Sequence, residues 1–245
     1  MTGTAGQPRH GPLLRMPGPD TAPRIFLLSP ARAGGKRGDL LLSGRGRFPL
    51  AERLRAGASV TLGEAFSFLS GFYFRGKLAY AERFARPPGG VPGVHVITSN
   101  RGLLPADTAV SADELRSFAE VEIRPDEPRY REPLQRDLAA IARPAAGEAA
   151  APELVLLGSI ATGKYVDVLL DVVGERLLFP TDFVGRGDMS RGALLLRTAR
   201  ADQELAYEPV ATAIRRRPRP GKAGPSNGDD EAGARARPPA PPHRR

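Results

Sequence analysis

Three apolar runs, each ending in a small polar residue and then glycine, most constrain what this chain can fold into. They are "RIFLLSPARAGG" (24–35), "VHVITSNRGLL" (94–104) and "ELVLLGSIATG" (153–163). Four or five apolar residues without alternation predict strands covered on both faces, the habit of a parallel sheet. A shorter fourth run, "ERLLFPTDFVGRGD" (175–188), has the same form. Between these runs the apolar spacing becomes helical. Thr61 and Glu64 stand at capping-box spacing, with Leu62, Ala65, Phe66 and Leu69 on one face. Ser70–Gly71 interrupts, and "FRGKLAYAERFA" resumes with Leu78, Ala81 and Ala85 predicted inward and the charges outward. "REPLQRDLAAIA" and "GKYVDVLLDVVG" complete the helices. Strands alternating with helices predict an α/β fold, a single domain with a mostly parallel, helix-covered sheet and right-handed crossovers.

The composition changes at both ends. Residues 1–22 are rich in Pro and Gly without apolar period, and "RRRPRPGKAGPSNGDDEAGARARPPAPPHRR" (215–245) has almost no large apolar residue. Neither can bury enough surface to offset its chain entropy, so both are predicted to be disordered tails. The α/β domain is expected over 23–214, with "ARPAAGEAAAPE" (142–153) as an internal loop.

Charge and residue usage narrow the function. The net charge is +9, but residues 214–245 contribute +6 of it and residues 24–213 only +2. A basic, Pro/Arg-rich tail predicts salt-sensitive attachment to polyanions. No cysteine is present, which excludes disulfides and thiolate chemistry. The histidines are His10, His95 and His243, too few for a His-rich metal centre. A carboxylate-held Mg²⁺ or Ca²⁺ stays open; no other metal site and no cofactor are expected. His95, between Val94 and Val96, reads as a satisfied core or edge histidine. No run approaches the ~18 apolar residues of a membrane span, and "MTGTAGQPRHGPLLRMPGPD" lacks a signal-peptide core. A cytoplasmic protein without membrane association is expected; the oligomeric state is left open.

Open α/β sheets bind ligands outside the carboxyl ends of their strands. The first run is followed by Ser29, Arg32, Lys36 and Arg37, and the second by Ser99, Asn100 and Arg101. Ser159, Thr162, Lys164 and Tyr165 follow the third, and Asp182, Arg186 and Asp188 the fourth. Glycine-bearing turns and helix N-termini present N–H groups to anions, so these turns with their cations predict a phosphate-binding rim. In "FVGRGDMSRGALLLR" (183–197), Asp188 or Ser190 is the expected helix cap.

Gly158 to Gly163–Lys164 has the spacing of a nucleotide-binding phosphate loop. Such a loop needs Ser or Thr after the Lys to ligate Mg²⁺, and Tyr165 cannot replace it. A P-loop-like enzyme is therefore the alternative reading. A non-enzymatic stress or interaction protein, in which the strand-end residues merely cap turns, is the other.

Several stretches resemble a bacterial domain family of unknown function. "SPARAGGKR" is similar to its first-strand turn, "FRGKLAYA" (74–81), with Arg75, to its Phe-Arg-x-x-x-x-Tyr-Ala helix, and "SNRGLLPAD" (99–107) to its Gly-Leu-Leu segment ending in Asp. The "G…Y…L" of Gly158, Tyr165 and Leu169 resembles its last part. The layout over residues 24–198 also distantly resembles the YaaA peroxide-stress proteins, through "LLSPA" (27–31), and the glycosylase-like domain of archaeosine synthases. The chain departs from the pattern in two places. Ala112–Asp113 stands where the family has Tyr-Asp, and Ala33, Gly34 and Gly35 lengthen the first turn. The resemblance implies association with nucleic acid or nucleotides. Chemistry on a glycosidic bond would need a carboxylate, for which Asp107, Asp182 and Asp188 are candidates, Asp107 and Asp188 first. Tyr73, Phe74 and Tyr165 are candidates to stack on a base.

Overall fold

The first apolar run becomes β1 (Arg24–Leu28), buried along its whole length, as a strand between two helical layers must be. The computed structural model describes residues 22–216 except 146, 148, 149 and 162. The sequences predicted to form disordered tails lie outside the described residues, apart from Ala22, Arg215 and Arg216.

After β1 come α1 (Lys36–Leu42), α2 (Pro49–Arg55), α3 (Leu62–Ser70) and α4 (Phe72–Phe84), then β2 (Val94–Ile97). The chain turns back at once as β3 (Leu103–Pro105) and continues through α5 (Ala112–Glu120) and α6 (Pro128–Ile141) to β4 (Glu153–Leu157). Next come α7 (Gly163–Val173), β5 (Leu177–Pro180), α8 (Asp188–Arg200), β6 (Tyr207–Pro209) and α9 (Val210–Arg216). The predicted helix 61–70 begins at the expected capping box: Glu64 N–H donates to Thr61 Oγ1 and Thr61 N–H to Glu64. Helix α9 runs two residues past the expected domain end, its Val210 and Ala213 buried in the core.

The six strands lie in the order β3-β2-β1-β4-β5-β6. The four strands read from the apolar runs are parallel; the edges β3 and β6 are antiparallel. Helix α4 packs on α8, and α6 on α7. The core includes Ile25–Leu28, Leu154–Leu157, Phe66, Phe74, Tyr80 and Phe179.

Two features of this topology position the site. The chain leaves β1 for β2 on one side and later returns to β4 on the other, so the β1–β4 boundary is the switch point of the sheet. There the two strand ends pinch together: Ser29 N–H donates to Leu157 O at 3.0 Å. A Cβ on Gly158 would stand 2.7 Å from Ser29 Cβ, so only glycine fits.

The opposite rim carries a buried ionic network. Arg24 donates to Glu153 at 2.6 and 2.8 Å and pairs with Glu204, which also takes Arg86 at 2.9 Å. Tyr207 and Tyr80 complete it: Tyr207 donates to Glu204 at 3.0 Å, the two hydroxyls are 2.6 Å apart, and Leu205 N–H donates to Tyr80. Arg24, a buried cation, thus has two carboxylates.

Candidate functional site at the sheet switch point

Helix α4 enters the sheet layer with Tyr73, Phe74, Lys77, Tyr80, Ala81 and Phe84 on its buried face. Lys77 therefore sits in the apolar stripe, where the sequence pattern placed charges outward. Its stem replaces an aliphatic core residue, and its ammonium reaches the end of β1. Nζ donates to Ser29 O at 2.8 Å and to Ser29 Oγ at 2.9 Å. It lies over the faces of Tyr73 and Phe74, 4.9 and 4.7 Å from their centroids. Lys77 is 1% exposed. Burial lowers its pKa to about 7, against a smaller opposing pull from Asp188.

Helix α8 supplies a second buried cation. Arg191 donates through Nε and Nη2 to Phe183 O at 3.2 and 3.0 Å, and lies over the Phe183 ring. The carboxylate that reaches it is Asp188, 3.9 Å away and 68% exposed. Two tyrosines join the cations. The Tyr165 hydroxyl accepts from Ser159 N–H at 2.7 Å and donates to Ser159 O at 2.6 Å. Burial raises its pKa, opposed by Ser159, Ser29 and Arg191. The Tyr73 hydroxyl is buried without a hydrogen bond. Burial pushes it well above the usual phenol range, and the nearby Arg191 moderates that rise.

The strand ends after β1, β2, β4 and β5 share one rim because those strands are parallel, yet their residues serve different ends. At β2, Ser99 Oγ donates to Phe118 O at 2.7 Å and Asn100 Nδ2 to Ser117 at 3.1 Å, while Arg101 pairs with Glu114. These three candidate ligand residues anchor α5. Arg37 Nη1 donates to Phe68 O at 3.3 Å near the end of α3, and Lys36 and Arg32 are exposed. Arg186 holds its own turn, donating to Asp182 O at 2.7 Å and to Ser190 Oγ at 3.1 Å. Helix α8 is capped by Gly187, not by Asp188 or Ser190; Asp188 is its first residue.

The phosphate-loop spacing leads to a loop that satisfies itself. Ser159 N–H is taken by Tyr165 and Ala161 N–H by Ser159 Oγ at 3.2 Å, while Lys164 is exposed. Thr162 lies outside the described residues.

Asp107 and Asp188 do not share a site. Strand β3 runs antiparallel to β2, and Ala106 N–H bonds Val94 O, so Asp107 emerges at the N-terminal rim of the parallel strands. It lines a cleft of about 490 Å³ with Arg75, Glu64 and Glu82, apart from Ser29 and Lys77. A short hairpin was not visible in "SNRGLLPAD"; Gly102, at φ 64°, makes the turn that moves Asp107 to the other rim.

Phe74 is fully buried against Phe66 and presents no face to a base. His95 is a core histidine, 4% exposed, but its Nδ1 has no partner, and burial lowers its pKa to about 4.

The residues the sequence reading missed are Lys77 and Arg191. Their signal was positional: Lys77 falls at i+3 and i+4 from Phe74 and Tyr73, and Arg191 precedes Leu194 and Leu195 by the same spacings. A charge within an apolar stripe is a buried charge.

Among the described residues no group of three or more His, Asp or Glu is arranged to hold a metal, and no helix is long and apolar enough to cross a membrane. Comparison with protein-family models, curated proteins and solved structures gave no match.

Proposed function

We infer that the chain binds the phosphate of a nucleotide or nucleic acid at the β1–β4 switch point, through Lys77 and Arg191, with Tyr73 and Tyr165 as hydroxyl partners. The observation that carries this reading is a contrast within one molecule. Arg24, buried at the N-terminal rim, has two carboxylates; Lys77 has none in hydrogen-bond contact, and Arg191 meets only the exposed Asp188 at 3.9 Å. Burying a charge without a counter-ion costs several kcal/mol, and an incoming anion offsets that cost at both cations together. The location is where open α/β sheets hold ligands. A nucleotide phosphate is proposed among anions because the motif resemblance over residues 24–198, which no comparison matched, would imply association with nucleic acid or nucleotides. Any glycosidic-bond chemistry at this rim falls to Asp188.

Calorimetric titration with AMP, inorganic phosphate and a short single-stranded oligonucleotide tests the reading. Lys77→Met and Arg191→Met each weaken binding at least tenfold at pH 6.5, while Lys164→Ala leaves it unchanged. Undiminished binding in a folded Lys77→Met chain, or loss in Lys164→Ala alone, contradicts the site and favours the 158–164 loop.

A further inference from the structure

Ser29 Oγ and Lys77 Nζ stand 2.9 Å apart, and Nζ also holds the Ser29 carbonyl at 2.8 Å. The end of β1 is already fixed by the Ser29 N–H to Leu157 O bond. A serine hydroxyl is a weak nucleophile until a base takes its proton, and lysine is such a base only where its neutral amine is populated. Burial without a carboxylate in hydrogen-bond reach favours the neutral amine, against the two aromatic faces and the serine oxygens, which favour the ammonium. The titratable and charged groups around the pair are Tyr73 on the same helix, Tyr165 from α7, and Arg191 and Asp188 from α8. Tyr73 brings a protonated hydroxyl and the neighbouring Arg191 a guanidinium, the donors an oxyanion requires.

We propose that Ser29 is a covalent nucleophile with Lys77 as its general base, hydrolysing a carboxylic ester that leaves Lys77 without an anion beside it. Ser29 Oγ attacks the carbonyl carbon while its proton passes to Nζ. The carbon–oxygen bond to the alcohol breaks, and Nζ returns the proton to the departing alkoxide. Water, deprotonated by Nζ in the same way, then attacks the acyl-serine, releasing the carboxylic acid and restoring Ser29. The nucleophile pair stands on its own geometry and does not rest on the phosphate-binding reading; a phosphate at Lys77 would hold the amine protonated and block the step.

The test is labelling of the full chain with diisopropyl fluorophosphate, a small uncharged electrophile, followed by intact mass and peptide mapping. The expected result is one adduct on Ser29, forming about tenfold faster per pH unit below 7 and levelling above a midpoint near 7. Ser29→Ala forms none, and Lys77→Met labels at least 100-fold more slowly. The pH profile of the unmodified chain carries the test even if Lys77→Met fails to fold. No adduct on Ser29, a label retained in Ser29→Ala, or a rate independent of pH overturns the proposal. Phosphate binding is measured on the same preparation. Labelling without phosphate binding removes the phosphate reading and keeps the nucleophile, whereas phosphate binding without labelling does the reverse.

Discussion

A Cβ on Gly76 would stand 2.8 Å from the carbonyl oxygen of Gly192, and one on Gly192 would meet Tyr73 Cα at 3.1 Å. Helices α4 and α8 therefore touch backbone to backbone, with Lys77 and Arg191 each next in sequence to a contact glycine. The two glycines bring together the helix segments that carry the two cations.

Gly76→Ala should push the helices apart and lower stability by about 1–3 kcal/mol, the usual cost of overpacking. Phosphate affinity should fall as well, since Arg191 moves with α8. Urea melts and calorimetry on the same variant check both effects. A stable variant with unchanged affinity would mean that the close approach does not set the site.

Lys77 makes stability depend on alkaline pH. Its folded pKa of about 7 lies below its ordinary value of 10.5, so between these the unfolded chain binds the extra proton. Stability therefore rises as pH increases from 7 toward 10, by at most about 1.4 kcal/mol per pH unit. Above that window the buried tyrosines act oppositely, because their raised pKa values mean the unfolded chain loses protons first. Denaturant midpoints at pH 7, 8 and 9 should climb in the natural chain and stay flat in Lys77→Met.

The strands that frame this site were legible because each is a compact apolar run, and burial on both faces needs nothing else. The edges were not. Three-residue strands such as Leu103–Pro105 and Tyr207–Pro209 carry a proline and no alternation long enough to read. The seven-residue helices over 36–55 are too short for a period to emerge. At the site, Ser29, Tyr165 and Asp188 were readable as strand-end residues. Lys77 and Arg191 were hidden because charge was weighed before helical position. Asp107 was misplaced because a tight turn reverses the chain between Asn100 and Leu103.

His95 should control acid stability. Burial holds its pKa near 4, below the ordinary 6.5, so the unfolded chain takes up the proton first as pH falls. Its contribution is complete above pH 6.5 and lost between 6.5 and 4, amounting to at most about 3 kcal/mol. His95→Leu should flatten the melting temperature across that interval, apart from the slope due to carboxylates. An unchanged slope would place the acid sensitivity elsewhere.

Arg101 separates anchoring from binding. Its ion pair with Glu114 is half exposed and links the β2 turn to α5. Arg101→Ala should cost under about 1 kcal/mol of stability and leave phosphate affinity unaltered. A tenfold affinity loss would extend the site across β2.

Isotope-edited NMR of the Lys77 amine, titrated from pH 5 to 11 with and without saturating AMP, addresses the account most directly. The account predicts a midpoint near 7 in the free protein, displaced upward by more than one pH unit when the phosphate is bound. A midpoint near 10.5 in the free chain, or one that AMP leaves in place, would contradict it.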